Sequence, residues 1–112
     1  MKYLDVTPYE VKVPAAPAVE GAAATALYPV KDSLVNILFA DKNIRARDAL
    51  KRDDVARKVL AAGDELALED AEYDILLKAV DTLEGYARND CELIRRVLEP
   101  ANVSALPLKA AL

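Results

Sequence analysis

Apolar residues recur at helical spacing through the middle of the chain, most clearly in residues 64–83. One stripe of that stretch carries Tyr73, Leu76, Leu77, Val80 and Leu83. Positions spaced by three and four residues lie on one side of an α-helix, and such a stripe needs partner helices to cover it. The pattern predicts a helix over residues 68–83, opened by acidic residues that favour a helix N-terminus and stopped by Gly85.

Two further helices are predicted before this one. Residues 29–40 begin at Pro29, which suits the first helical position, and their buried face is Val30, Leu34, Ile37 and Leu38. Residues 44–62 follow, with Asn43 as the N-cap residue and Gly63 just beyond the end. The apolar arc of this second helix centres on Ala49, Ala56, Val59 and Leu60.

A fourth helix is predicted over residues 90–99. Asn89 followed by Glu92 resembles a capping box, and Pro100 marks the end. The predicted inner stripe is Cys91, Ile94, Val97 and Leu98. Cys91 is therefore interpreted as a small buried apolar residue.

The N-terminal residues 1–13 favour extended structure, because apolar residues alternate with Glu10 and Lys12. Pro8 cannot donate to a strand ladder, so this segment is either an edge strand or two short pieces. Residues 14–21 contain two prolines and a glycine and predict a turn. Residues 22–28 fit either a return strand that completes a hairpin or an extended arm that orders on a partner.

The predicted fold class is mainly α: a small bundle of three to four helices with an extended or β-hairpin N-terminal arm. The expected divisions are an arm at residues 1–28, a helical domain at 29–100 and a C-terminal tail at 101–112. Leu106, Leu108 and Leu112 of the tail lack helical spacing. They are expected to pack on the bundle or to belong to an interface.

The composition limits the catalytic and metal-binding chemistry that the chain can carry. The chain has no His, one Cys and a net charge of −4, which removes the commonest general base and metal ligand. No catalytic, cofactor-binding or metal-binding residue is predicted, and an enzyme is not expected. No run reaches the about 20 apolar residues of a membrane span, and no secretory signal is evident. The expected location is cytoplasmic.

Two groups of residues are candidates for binding a partner. The first lies in the arm and comprises Tyr3, Tyr9, Val11 and Val13; the second lies in a cationic cluster at residues 42–58 and comprises Arg45, Lys51, Arg52 and Lys58. The interpretation favoured for the cluster is a solvated face with ion pairs or an acidic protein partner, ahead of a helix that follows phosphates. A protein partner or self-association is expected, with nucleic acid as the alternative.

Three segments resemble small proteins encoded by tailed bacteriophages and prophages: KDSLVNILFA, ARDALKRDDVARKVL and ELALEDAEYDILLKAV. The resemblance covers residues 30–80, somewhat under half of the chain, and implies no particular activity. The sequence therefore leads to one main hypothesis, a non-enzymatic phage accessory or assembly protein that works through protein–protein contacts. Its expected location is then the host cytoplasm or the virion. The alternative is a nucleic-acid-associated regulator that uses the basic helix.

Overall fold

A computed structural model describes residues 1–13 and 24–103. In chain order its elements are β1 (Lys2–Asp5), β2 (Tyr9–Val13), β3 (Ala24–Tyr28), α1 (Val30–Leu38), α2 (Ala46–Ala61), β4 (Glu65–Leu68), α3 (Asp70–Thr82) and α4 (Cys91–Leu98). A short 3-10 turn, Arg88–Asp90, leads into α4. The strands form two antiparallel pairs, β1 with β4 and β2 with β3. The four helices and the N-terminal hairpin confirm that part of the predicted fold. The two small sheets make the described part mixed α/β, which corrects the expectation of a mainly α bundle.

Strand β4 lies just before the predicted helix of residues 68–83 and includes its first residue, Leu68. Leu66 and Leu68 are both buried, with exposed Ala67 between them. Residues two apart point in nearly opposite directions on a helix but to the same face of a strand. Leu66 lies opposite Leu4 of β1, so the strand closes one side of the core. The predicted helix persists only from Asp70 onward.

The N-terminal segment folds onto the helices. Leu4 and Val6 are buried in the core, and Tyr3 exchanges two backbone hydrogen bonds with Ala101, of 2.8 and 3.0 Å. Pro8 lies between β1 and β2, so of the two alternatives for this segment, two short pieces is the correct one. The return strand β3 also forms, so the hairpin alternative is the correct one. The predicted turn at 14–21 and the tail leucines at 106, 108 and 112 lie outside the described residues.

The core is a single cluster of apolar side chains contributed by all four helices and by β1 and β4. The predicted buried face of α1 is confirmed at all four positions, and α3 buries Tyr73, Leu76, Ala79 and Val80. Pro29 precedes α1 as its N-cap residue and is not the first helical residue. The described residues bury no polar or charged side chain.

Helix α2 starts later and is rotated from the predicted arc. It begins at Ala46, because Asn43 belongs to the preceding turn, where its backbone N–H donates to the Asp41 carboxylate at 2.9 Å. The buried residues of α2 are Val55, Ala56 and Val59. Leu60, predicted to be inside, is 56% exposed. Only the second half of α2 therefore packs firmly on the core.

Helix α4 is rotated by roughly 100° from the predicted orientation. Leu93 and Val97 are its buried residues, whereas Cys91 is exposed and Leu98 is 48% exposed. Asn89 is not the cap, since Asp90 precedes the helix. The rotation turns Arg96 inward, towards the backbone carbonyls of Asp5 and Thr7.

The connection between α3 and α4 requires one glycine. Gly85 has φ +91°, a backbone conformation that glycine adopts freely and other residues rarely do. The chain reverses there, and the Tyr86 hydroxyl then donates to the Val80 carbonyl at 2.8 Å. This reversal sets α4 against α3 and brings the 3-10 turn beneath the β2–β3 hairpin. The sequence-based prediction that Gly85 stops the third helix is consistent with this geometry.

Candidate protein-interaction site

The β2–β3 hairpin is held to the body by a pair of tyrosines at one end. Tyr9 and Tyr28 lie directly opposite each other, and their rings stack with centroids 4.7 Å apart. The Tyr9 hydroxyl donates to the Asn89 carbonyl at 2.8 Å and accepts from the Leu93 backbone N–H at 3.2 Å. The Tyr28 hydroxyl donates to the Asp90 carboxylate. Both phenols therefore bind the turn that leads into α4.

Arg96 binds the backbone of the short connection between β1 and β2. Its guanidinium donates to the Thr7 carbonyl at 2.7 Å and lies 5.0 Å from the centroid of the Tyr9 ring, a cation–π geometry. The same group forms ion pairs with Glu92 at 3.2 Å and with Asp5 at 3.6 Å. These contacts explain why α4 turns Arg96 inward.

The environment keeps both phenols protonated further into the alkaline range than a free tyrosine. Burial, followed by the hydrogen bond to Asp90, raises the pKa of Tyr28 to about 12. Burial also raises the pKa of Tyr9. Because a phenol must keep its proton to donate, both hydroxyls remain donors at neutral pH. They therefore act as fixed structural anchors of the hairpin.

Beyond the tyrosine anchor, the hairpin is poorly covered. Val11 is half-buried and its cross-strand neighbour Ala26 is exposed. On the other face Leu27 is 65% exposed. A cleft of about 670 Å³ separates this part of β2 from α4 and the 3-10 turn. The hairpin thus presents apolar and backbone groups to solvent from a rigid base.

The structure separates the predicted arm residues. Tyr9 and Val11 line the cleft, and the backbone of Val13 pairs with Ala24 at the far end of the hairpin. Tyr3 lies instead in the β1–β4 sheet, opposite exposed Ala67. One predicted group therefore contributes to two separate surfaces.

The four predicted cationic residues also fall into two groups, according to whether the side chain forms a hydrogen bond or an ion pair with another described residue. The Arg52 guanidinium donates to the Leu38 carbonyl at 2.8 Å, and Lys58 pairs with Glu72 at 2.6 Å, a hydrogen bond that raises the pKa of Lys58. Arg45 and Lys51 are exposed. Neither makes an ion pair with another residue of the described ranges. Of the four predicted cations, Arg45 and Lys51 are therefore the two with no ion pair or backbone hydrogen bond from the side chain to another described residue.

Sequence reasoning missed Tyr28, Leu27 and Arg96. A pattern in the sequence could have indicated the first: Tyr9 follows Pro8, and Tyr28 precedes Pro29. A proline at each outer end marks where a hairpin ladder must stop, which would have placed the two tyrosines opposite each other. The four-residue spacing of Glu92 and Arg96 is visible in the sequence. The contacts of Arg96 with Thr7 and Tyr9 join residues more than eighty positions apart and leave no local pattern.

Neither a metal cluster nor a membrane helix is found in the described ranges. Residues 1–13 and 24–103 contain no group of three or more Cys, Asp or Glu side chains placed to hold a metal ion. Over the same ranges, each helix is too short or too polar to cross a bilayer.

Comparison of the chain with protein-family models, with curated proteins and with solved structures finds no match. What the geometry defines is a mixed α/β body that carries an anchored β-hairpin.

Proposed function

We propose that this protein acts through protein–protein contacts rather than catalysis, as an accessory or assembly component of a phage particle. The observation that carries the proposal is the hairpin: its base is fixed by the stacked tyrosines and by Arg96, while Thr25, Ala26 and Leu27 are exposed. Rigid presentation lowers the conformational entropy lost on binding. The phage setting rests on the resemblance of residues 30–80.

The exposed hairpin suits recognition by main-chain pairing. Extended segments commonly bind by adding a strand to an open sheet edge, where backbone hydrogen bonds supply affinity and alternate side chains supply selectivity. The β2–β3 sheet has two strands in the described residues, so its ladder can be extended. Leu27 adds an apolar contact, and the buried core of an interface is more apolar than its rim.

Site-specific photo-crosslinking tests this proposal. A photoreactive amino acid placed at Leu27 is expected to form covalent adducts with a protein when the chain is produced in its natural host. The matched control is the same amino acid at Leu50 of α2, a leucine of similar exposure, 68% against 65%. Absence of any protein adduct at Leu27, or the same adducts at both positions, would contradict the proposal.

The alternative function, nucleic-acid binding, is favoured by one observation on α2. Lys42, Arg45 and Arg47 lie around the N-terminus of this helix, where the helix dipole favours anionic side chains. These cations therefore do not serve to stabilise the helix end. Together with Lys51 they form an exposed basic surface that could contact phosphates.

Paired charge variants test the alternative. If the surface contacts phosphates, Arg45→Gln with Lys51→Gln is expected to weaken DNA or RNA binding and to reduce the salt slope by about two. The control, Arg57→Gln with Lys58→Gln, removes the same charge from residues that are already ion-paired, and should change binding much less. Absence of salt-dependent binding by the unmodified protein at low ionic strength would exclude this function.

A further inference from the structure

Strand β3 has an open edge. Thr25, Ala26 and Leu27, its three central residues, are all exposed. Among the described residues, β2 is its one strand neighbour, and no hydrogen bond joins the β3 backbone to any other element. The opposite edge of the hairpin is partly occupied, because the Asn89 side-chain amide donates to the Lys12 carbonyl at 3.1 Å.

That hydrogen bond indicates which β3 groups point outward. The Lys12 carbonyl faces Asn89, away from β3. In an antiparallel pair, residues whose backbone groups point outward lie opposite residues that do the same. Lys12 lies opposite Thr25, so the N–H and C=O of Thr25 point away from β2. By the two-residue alternation of a strand, those of Leu27 do as well.

This edge lacks the features that usually keep strands from pairing with other chains. Natural edge strands are commonly protected by charged side chains, prolines or bulges. The sequence of β3, ATALY, contains none of these, whereas β2 carries Glu10 and Lys12. An uncharged strand can lie beside a copy of itself without placing like charges opposite each other.

We propose that β3 docks against β3 of a second copy of this chain, which forms a four-stranded antiparallel sheet around a two-fold axis at Ala26. The inference rests on the proposed function and names the partner of the same surface. Thr25 of each copy lies opposite Leu27 of the other, so the outward N–H and C=O groups give four new hydrogen bonds. A two-fold axis at Leu27 would instead place Thr25 opposite Pro29, which has no N–H.

The side chains fit this register. Ala26 meets its own copy in a non-hydrogen-bonded pair, where the strands approach most closely and where two small side chains fit without displacing the backbone. On the other face, Leu27 packs against Thr25 of the second copy. Within each hairpin, Glu10 lies opposite Leu27 and Lys12 lies opposite Thr25. A row of opposed residues across the four strands is therefore Lys12 and Thr25 of one copy followed by Leu27 and Glu10 of the other. Each such row carries opposite charges at its two ends. The contact is small, so the dimer is expected to be weak and concentration-dependent.

Disulfide trapping tests the register. In a Cys91→Ser background, Ala26→Cys is expected to form a covalent dimer under mild oxidation. The two Cα atoms would be about 4.5 Å apart, within the range that disulfides span. The control is Lys12→Cys, an exposed position on β2 of the same hairpin. Across the four-stranded sheet its two copies would be about 16 Å apart, three strand spacings across and two residues along the strands, so it should remain monomeric.

A second variant pair tests the edge itself. Thr25→Pro removes an outward N–H without touching the β2–β3 ladder, and is expected to abolish the Ala26→Cys crosslink. Thr25→Val keeps that N–H and should preserve the crosslink. No crosslink at Ala26→Cys, equal crosslinking at Lys12→Cys, or no effect of Thr25→Pro would each overturn the inference. If photo-crosslinking at Leu27 captures only a different protein, the proposed function stands and this inference fails.

Discussion

Substituting either Leu66 or Leu68 with alanine is expected to lower the free energy of unfolding by about 2–5 kcal/mol. Both side chains are buried, at 1% and 0% exposure, and both face the core from the same side of β4. Each substitution removes apolar contact and leaves a cavity that a close-packed interior refills only in part. Urea denaturation of each single variant measures the loss.

The two variants together distinguish a strand from a helix. If residues 64–69 were the first turn of a helix, Leu66 and Leu68 would point about 200° apart, and one of them would tolerate alanine. Ala67→Ser, at the exposed position between them, is the control and should change stability by no more than about 0.5 kcal/mol. A large loss for only one leucine would contradict the strand.

Helices α1 and α3 were predictable because their own periodicity decides which face is buried. In α1 the four residues expected inside are the four that the core buries. Leu76 and Val80 of α3 are likewise in the core. A helix satisfies its backbone hydrogen bonds internally, so its burial pattern appears within one continuous segment of sequence.

Strand β4 was not predictable in the same way. Four residues, ELAL, are too short to separate strand alternation from the beginning of a helical stripe. The deciding interaction is its pairing with β1, where Lys2 lies opposite Leu68. That partner is more than sixty residues away in the chain, and nothing in either segment specifies the other. Long-range pairing therefore overrode the local helical pattern.

The candidate site likewise contains residues that local sequence pattern indicates and residues that only long-range pairing places. Tyr9 and Val11 could be proposed from the alternating pattern of β2 alone. Tyr28 and Leu27 depend on the register between β2 and β3, which the pattern of one strand does not fix. The cation at Arg45 remained exposed, whereas Arg52 found a backbone carbonyl of α1. The sequence alone shows which residues are charged, but not which of them form ion pairs or hydrogen bonds within the fold.

Arg96→Ala is expected to lower the free energy of unfolding by about 2–3 kcal/mol, the sum of a charged hydrogen bond and a cation–π contact. Its side chain is only 15% exposed. Loss of the guanidinium leaves the Thr7 carbonyl without its 2.7 Å donor and removes the cation from the Tyr9 ring. Thermal and urea unfolding of the variant measure the change.

The neighbouring Arg95 provides a matched control. It carries the same charge on the same helix but is exposed, so Arg95→Ala should change stability by no more than about 0.5 kcal/mol. Arg96→Lys separates charge from shape, because an ammonium keeps the charge but cannot place several donors in one plane. It should recover only part of the loss. If Arg96→Ala and Arg95→Ala were equally mild, Arg96 would not hold the hairpin base. The rigid presentation of β3, on which strand docking depends, would then have to come from the stacked tyrosines alone.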